Sequence, residues 1–148
     1  MEMLYRVEES AVALWVGESL WGYPFLLSFH VVGLAIIVGL VVMLDLRLLG
    51  LFKELNVQSF LPLMKFAWVG FVINAASGAL LFTSQASYFA THFPFLLKIG
   101  LIFCGAAITG IIQHRVRNVN GANCRGLAFL SLLAWIGAIV NGRLIAYL

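Results

Sequence analysis

Four long apolar runs dominate this sequence and determine its fold class. They cover about residues 20–44, 60–82, 95–114 and 127–146. A membrane-spanning helix needs about 20 apolar residues, because the hydrocarbon core is about 30 Å thick and an α-helix rises about 1.5 Å per residue. Of the 148 residues, 63% are hydrophobic and only 10% are charged, a composition foreign to soluble domains. We predict an all-α integral membrane four-helix bundle that forms a single domain over residues 1–148.

The first eighteen residues have a different pattern from the four runs. Apolar residues recur there at helical spacing, with polar residues mostly between them: Leu4, Val7, Ala11, Leu14 and Trp15. This pattern predicts a short helix over about residues 3–17 that lies in the membrane interface. Gly17 and the segment 22–24, which contains a proline, are expected to bend the chain into the first run. Because acidic residues precede that run and no small-residue cleavage site follows it, we interpret it as a retained span.

The basic residues indicate the orientation in the membrane. Six of the nine Lys and Arg residues lie on or beside the connections after the first and third runs: Arg47, Lys53, Lys65, Arg115, Arg117 and Arg125. By the positive-inside rule these connections face the cytoplasm, and both termini face the periplasm of a bacterial inner membrane. Reporters fused after Phe52 or Asn120 should therefore read cytoplasmic. The basic residues have no interleaved aromatic residues, so their expected contact is with the lipid bilayer and not with nucleic acid.

A histidine within the first run is the main indication of function. His30 lies in a segment that should be surrounded by hydrocarbon, where an ionisable side chain is costly and suggests a functional site. Fifteen residues separate it from Asp45, which corresponds to about 22 Å of helix. If Asp45 marks the inner boundary, His30 lies in the outer half of the bilayer. Asp45 itself is expected to pair with another helix or with headgroups. Gly33 would leave space beside the imidazole for a flat ligand, although such glycines more often serve helix packing.

The other three runs place polar residues at a similar height. The candidate cofactor-binding set is therefore His30, Gly33, Asn74, Ser77, Lys98 and Arg143, with His30 as the candidate metal ligand. Two permanent cations above a histidine would suit an anionic or electron-rich ligand.

The remaining histidines and the cysteines narrow the chemistry. His114 lies at the inner end of the third run, and His92 lies in an outer loop where we expect it to be solvated. Two axial histidines must meet at one iron, so a haem would be five-coordinate or shared by two copies of His30 across a symmetry axis. Cys104 lies deep in the third run and Cys124 lies in the connection after it, so the two cannot easily meet in a disulfide. Neither belongs to a C-x-x-C-H motif, which argues against covalent haem c.

An ordered set of motifs spans almost the whole chain. It comprises Trp21-Gly22-Tyr23-Pro24, His30-x-x-Gly33, Asp45-Leu46-Arg47-Leu48-Leu49-Gly50, Phe95-x-x-Lys98 and Gly142-Arg143-Leu144-Ile145-Ala146-Tyr147. The set resembles a family of small, functionally uncharacterised bacterial inner-membrane proteins, which is distantly similar to the membrane domains of copper-resistance and b-type cytochrome-like proteins. The resemblance implies four helices and draws attention to His30, Lys98 and Arg143. Members of that family often carry an acid a few residues before the histidine, where this chain has Leu26, Leu27 and Ser28.

Three classes of function follow from these features. The favoured class is electron transfer with a redox partner protein, in which His30 ligates haem b or hydrogen-bonds a quinone. Lys98 and Arg143 would then neutralise propionates or a reduced headgroup. Aromatic residues could wall such a ring: Phe29, Trp68, Phe71, Phe103 and Trp135. Transport of a metal or small solute ranks lower, because the inner half is almost wholly apolar and offers few soft ligands.

The third class is a non-catalytic membrane subunit or assembly protein that binds no cofactor. Its polar groups would satisfy one another or face a partner. The sequence does not decide whether the chain is an enzyme. Abundant small residues in the runs leave packing surface unused within one bundle, so we also expect a homo-oligomer.

Overall fold

The computed structural model describes residues 1–119 and 123–147. Its helices are α1 (Glu2–Glu8), α2 (Ala11–Glu18), α3 (Gly22–Leu48), α4 (Phe60–Thr83), α5 (Ala86–Thr91), α6 (Phe93–Asn118) and α7 (Arg125–Leu144), with a 3-10 turn at Val57–Ser59. Helices α3, α4, α6 and α7 are long and apolar enough to cross a membrane. The predicted all-α membrane helix bundle is thereby confirmed. The α6–α7 connection contains residues 120–122, so the expectation for Asn120 falls outside the described residues.

The four spanning helices form two pairs. Helix α3 packs along α4, and α6 packs along α7, while contact between α3 and α7 joins the two pairs. Helices α4 and α6 touch at only a few positions. We call the end where α3 begins and α7 ends the termini end, and the opposite end, which carries Arg47 and Arg125, the basic end.

Near the basic end two hydrogen bonds join α4 and its preceding turn to α6. Gln58 Nε2 donates to the Val116 carbonyl at 2.7 Å, and Trp68 Nε1 donates to Gln113 Oε1 at 2.8 Å. At the termini end the rings of Phe82 and Phe95 stack with centroids 5.5 Å apart.

Close packing of α3 on α4 depends on two facing glycines. A Cβ on Gly33 would lie 2.7 Å from both the Gly70 carbonyl oxygen and the Asn74 amide nitrogen. A Cβ on Gly70 would lie 2.9 Å from the Gly33 carbonyl oxygen. Only residues without a side chain allow such an approach, as is common where helices pack in membranes.

The half of the bundle towards the basic end is a packed apolar core. Its buried residues come from all four spanning helices: Ile37, Val41, Leu44, Phe60, Met64, Ala67, Ile112, Val116 and Trp135. The buried indole of Trp135 donates to Thr109 Oγ1 at 3.2 Å. This bond satisfies two polar groups that would otherwise be costly in an apolar core.

The N-terminal segment differs from the single helix expected over residues 3–17. The structure has two helices there, α1 and α2, because Ser10 begins a new helix: its Oγ accepts a hydrogen bond from the Ala13 amide at 3.3 Å. Gly17 lies within α2 and does not break the chain. Pro24 lies in the first turn of α3, where proline is tolerated. Helix α1 packs on α5, and α2 packs on α3 and α4.

Candidate functional site

A cavity of about 610 Å³ lies at the termini end of the bundle. Helices α3, α4, α5, α6 and α7 all contribute to its wall. Most of the lining side chains are apolar, and the polar ones are Tyr23, His30, Asn74, Ser84, Gln85 and Lys98. The volume lies within the range of about 300–1,000 Å³ that is typical of small-molecule and cofactor sites.

The imidazole of His30 is held in one orientation. Its Nδ1 lies 2.9 Å from the Asn74 carbonyl oxygen and 3.2 Å from Ser77 Oγ. Because a carbonyl oxygen only accepts, Nδ1 carries the hydrogen and donates it. In the neutral ring Nε2 then keeps its lone pair. Nε2 is not occluded and has no hydrogen-bond partner among residues 1–119 and 123–147.

Residues of α4 hold the backbone and the ring of His30 in place. The side-chain Nδ2 of Asn74 donates to the His30 carbonyl at 2.8 Å. Ser77 Oγ donates to the Ile73 carbonyl at 2.7 Å, which fixes the hydroxyl behind the imidazole. A Cβ on Gly78 would lie 2.9 Å from His30 Cε1, so glycine is needed there for the ring to fit. Sequence reasoning missed Gly78, although it lies one turn after Asn74 and therefore shares its helix face.

Lys98 brings a cation to the cavity from α6. Lys98 is half-buried. Its Nζ lies against α7, because a Cβ added to Gly142 of α7 would be 3.4 Å from this nitrogen. No Asp or Glu of the described residues lines the cavity beside it. An ammonium group in an apolar cavity without a countercharge favours a ligand that carries or accepts negative charge.

The structure brings together some of the predicted site residues but not all. His30, Asn74 and Lys98 line the cavity, and Ser77 contacts His30 from behind. Gly33 lies instead in the α3–α4 interface. Arg143 is exposed and does not line the cavity. It follows Gly142, which does, and consecutive residues of a helix point in different directions.

Aromatic rings close the cavity at the termini end. Phe82, Phe89 and Phe95, from α4, α5 and α6, have ring centroids 5.2–6.4 Å apart. Phe71 and Phe103, two of the expected wall residues, also line the cavity. The other three expected wall residues, Phe29, Trp68 and Trp135, do not. The contribution of Phe89 was not foreseen, because the sequence analysis did not predict α5.

The other two histidines lie outside the cavity. The expectation that His92 is solvated is wrong: it is half-buried, and its ring centroid lies 4.9 Å from that of Tyr88. Helix α5, which carries Tyr88, causes this burial. His114 is exposed, with its ring nitrogens 3.1 Å from Asn118 Nδ2.

Of the two expected surroundings of Asp45, another helix or the headgroups, the structure has the first. Asp45 is only 1% exposed, and its side chain packs inside the bundle beside Ser131 of α7. Neither carboxylate oxygen has a hydrogen bond of ordinary geometry in the described part of the chain. Arg47, two residues later, donates to the carbonyls of Lys53 and Leu55.

Comparisons with known proteins add no assignment. The chain matches no family model, no curated protein and no solved structure. Among the residues that the structure describes, no group of three or more His, Cys, Asp or Glu side chains could hold a metal ion. The cavity and its two basic side chains are therefore the features of the chain that indicate a function.

Proposed function

We propose that this chain is a membrane-embedded electron-transfer protein that binds a quinone in the cavity at the termini end. The observation that carries the proposal is the pairing, in one apolar cavity, of His30 with its fixed imidazole and Lys98 without a countercharge. Two polar groups from different helices suit the two carbonyl oxygens on opposite sides of a quinone ring. A bound quinone supplies reversible uptake of two electrons and two protons.

In this proposal His30 handles a proton at Nε2. The Nδ1 hydrogen stays bonded to the Asn74 carbonyl whether or not Nε2 is protonated, so the ring keeps its orientation in both states. With a quinone bound, protonated Nε2 could donate a hydrogen bond to a ring oxygen, and neutral Nε2 could accept one from a hydroxyl. Lys98, which also lines the cavity, would hold a second ring oxygen and compensate negative charge on the ligand. Phe71 and Phe103 provide apolar and aromatic contacts for the ring.

The small contact between α4 and α6 supports a ligand that comes from the bilayer. The two helices are joined near the basic end by the Trp68–Gln113 bond and at the termini end by the Phe82–Phe95 stack. The cavity lining between these joints comes from both helices and includes the small residues Ala75 and Ala79. A lipid-soluble molecule with an apolar tail could pass between them from the side.

Haem b is the second candidate, and one observation favours it. A ligating histidine usually donates its other ring N–H to a carbonyl or carboxylate, which is how His30 Nδ1 is bound. We rank haem b below a quinone because it carries two propionates, and only Lys98 of the two expected cations lines the cavity. The ring of His30 is also turned towards α4 of its own chain, which does not favour sharing between two copies across an axis.

We further propose a bacterial inner membrane location with both termini in the periplasm, which puts the cavity in the outer half of the bilayer. The positive-inside distribution of basic residues supports this orientation. A redox partner protein would supply or accept the electrons. The proposed ligand contacts all come from one chain, so a homo-oligomer would repeat the site without completing it.

The test is the cofactor content of protein purified in native lipids. We expect quinone in an organic extract of the wild type, its loss in His30→Leu and a smaller amount in Lys98→Met. His92→Leu is the matched control, because His92 does not line the cavity. Absorption spectra of oxidised and reduced protein are recorded on the same samples. A Soret band that is present in the wild type and absent from His30→Leu would show that the ligand is haem b and not a quinone. If the wild type contains neither ligand, the chain is better explained as a non-catalytic membrane subunit.

A further inference from the structure

Two buried polar side chains face each other near the basic end, far from the cavity. Asp45 of α3 is 1% exposed and Ser131 of α7 is 0% exposed. The Ser131 hydroxyl is the polar side-chain group beside the Asp45 carboxyl. In the described part of the chain, the two Asp45 oxygens and Ser131 Oγ all lack a hydrogen-bond partner.

The surroundings of this pair do not compensate a negative charge. Leu44 precedes Asp45, and Trp135 lies one turn after Ser131, and both belong to the packed apolar core. Arg47 binds the carbonyls of Lys53 and Leu55. The guanidinium of Arg125 lies near Gly50, where an added Cβ would be 3.7 Å from its Nη2. No charged side chain in residues 1–119 and 123–147 forms a hydrogen bond with the carboxyl.

A buried carboxylate without a cation or a donor is very costly, and such a group takes up a proton instead. The neutral acid removes the charge and gains an O–H group. A small rotation would let this group donate to Ser131 Oγ, which would satisfy both orphaned side chains at once. We propose that Asp45 and Ser131 form a proton-binding site in which Asp45 is held as the neutral acid.

This site is independent of the proposed quinone site. It shares no residue with the cavity, and Asp45 lies about 22 Å along α3 from His30. Asp45 is three residues from the end of α3 at Leu48, so a proton has only a short distance to travel from the basic end. Failure of one proposal would leave the other standing.

Infrared spectroscopy of the full-length protein in lipid nanodiscs tests the proposal. The carbonyl stretch of a protonated carboxyl is distinct from that of a carboxylate. The chain has six Asp and Glu residues, and the other five are exposed or half-buried. We expect a protonated-carboxyl band at neutral pH in the wild type that is absent from Asp45→Asn. Absence of this band from the wild type would overturn the proposal.

Thermal stability of the same variants provides a second measurement. Asparagine has the size of the neutral acid and carries no charge, so Asp45→Asn should unfold within the experimental error of the wild-type temperature. Ser131→Ala should keep the infrared band and shift its frequency, because the acid loses its neighbouring acceptor. If sodium ions abolish the band or protect only the wild type against unfolding, Asp45 binds a metal cation as a carboxylate, and the proposal is wrong.

Discussion

His30 and Asn74 exchange two hydrogen bonds across the α3–α4 interface. The imidazole Nδ1 of His30 donates to the Asn74 carbonyl at 2.9 Å, and the Asn74 amide Nδ2 donates to the His30 carbonyl at 2.8 Å. The first bond orients the ring, and the second ties the two helices together at the same height. Because the acceptor of the first bond is a backbone carbonyl, substitution of the Asn74 side chain removes only the second bond.

Asn74→Ala should therefore lower stability but leave the His30 orientation intact. We expect a loss of about 1 kcal/mol, the usual value for one interhelical side-chain hydrogen bond. Asn141→Ala is the control, since the Asn141 amide bonds the Gly137 carbonyl of its own helix at 2.8 Å and joins no two helices. Thermal unfolding in one detergent measures both. Equal losses in the two variants would contradict the assigned role of Asn74.

Gly33→Ala should be strongly destabilising and Gly39→Ala should not. The added methyl group at position 33 would meet backbone atoms of Gly70 and Asn74 at 2.7 Å, and backbone atoms cannot move aside as a flexible side chain can. Overpacking of this kind costs about 1–3 kcal/mol. At position 39, apart from the neighbouring backbone of α3 itself, no atom of the described residues lies within 4 Å of the new Cβ. The unfolding temperatures of the two variants measure this difference. An unfolding temperature for Gly33→Ala close to the wild-type value would show that α3 and α4 are not in close contact at position 33.

The sequence identified the spans and the heights of the polar residues, but not the directions in which they point. Hydropathy and helical rise placed His30, Asn74 and Lys98 at one level, and the structure brings all three to one cavity. Lys98 and Arg143 could not be distinguished, because spans that are apolar on all sides carry no pattern that identifies the inward face. For the same reason the sequence did not show that Gly33 faces α4 or that Asp45 points into the bundle. Helix α5 was missed because six residues are too few for a periodic pattern.

Lys98→Met and Arg143→Met should differ in ligand binding. Methionine keeps most of the apolar stem and removes the charge, so each variant tests the cation with little change in packing. We expect weaker retention of quinone in Lys98→Met alone, because Arg143 is exposed and does not line the cavity. Titration of the purified variants with a soluble quinone analogue provides the affinities. If Lys98→Met and Arg143→Met both bind the analogue as tightly as the wild type does, Lys98 serves only to contact headgroups.

The orientation of the chain is tested with reporter fusions. The excess of Lys and Arg on the connections after α3 and α6 predicts cytoplasmic signals from fusions after Phe52 and Asn120, and a periplasmic signal from the C-terminus. Replacing the basic residues of one connection with Gln should weaken this preference. A periplasmic signal from the Phe52 fusion would invert the bundle and move the cavity to the cytoplasmic half of the membrane.

The contact between α1 and α5 should depend on pH through Glu8. Its carboxylate accepts hydrogen bonds from the Ser87 hydroxyl and the Ser87 amide, both at 2.7 Å. These bonds hold the pKa of Glu8 below its usual range, with the hydroxyl bond contributing most. A carboxyl whose pKa is lowered by folding stabilises the fold above its ordinary pKa, and this contribution disappears as the pH falls through the lowered value. The α1–α5 contact is therefore complete at neutral pH. It begins to weaken as the pH falls through the ordinary pKa of glutamate, and the contribution of Glu8 is gone below the lowered pKa.

Hydrogen exchange at the Ser87 amide measures this effect, once intrinsic exchange rates are divided out. In the wild type we expect protection that is constant near neutral pH and falls in acid. Glu8→Gln should reduce the protection at neutral pH and remove its pH dependence, because a neutral amide oxygen accepts weaker hydrogen bonds than a carboxylate does. Glu9→Gln is the matched control, since Glu9 is exposed and should leave the profile unchanged. An acid-dependent loss of protection that persists in Glu8→Gln would assign the pH dependence to another group.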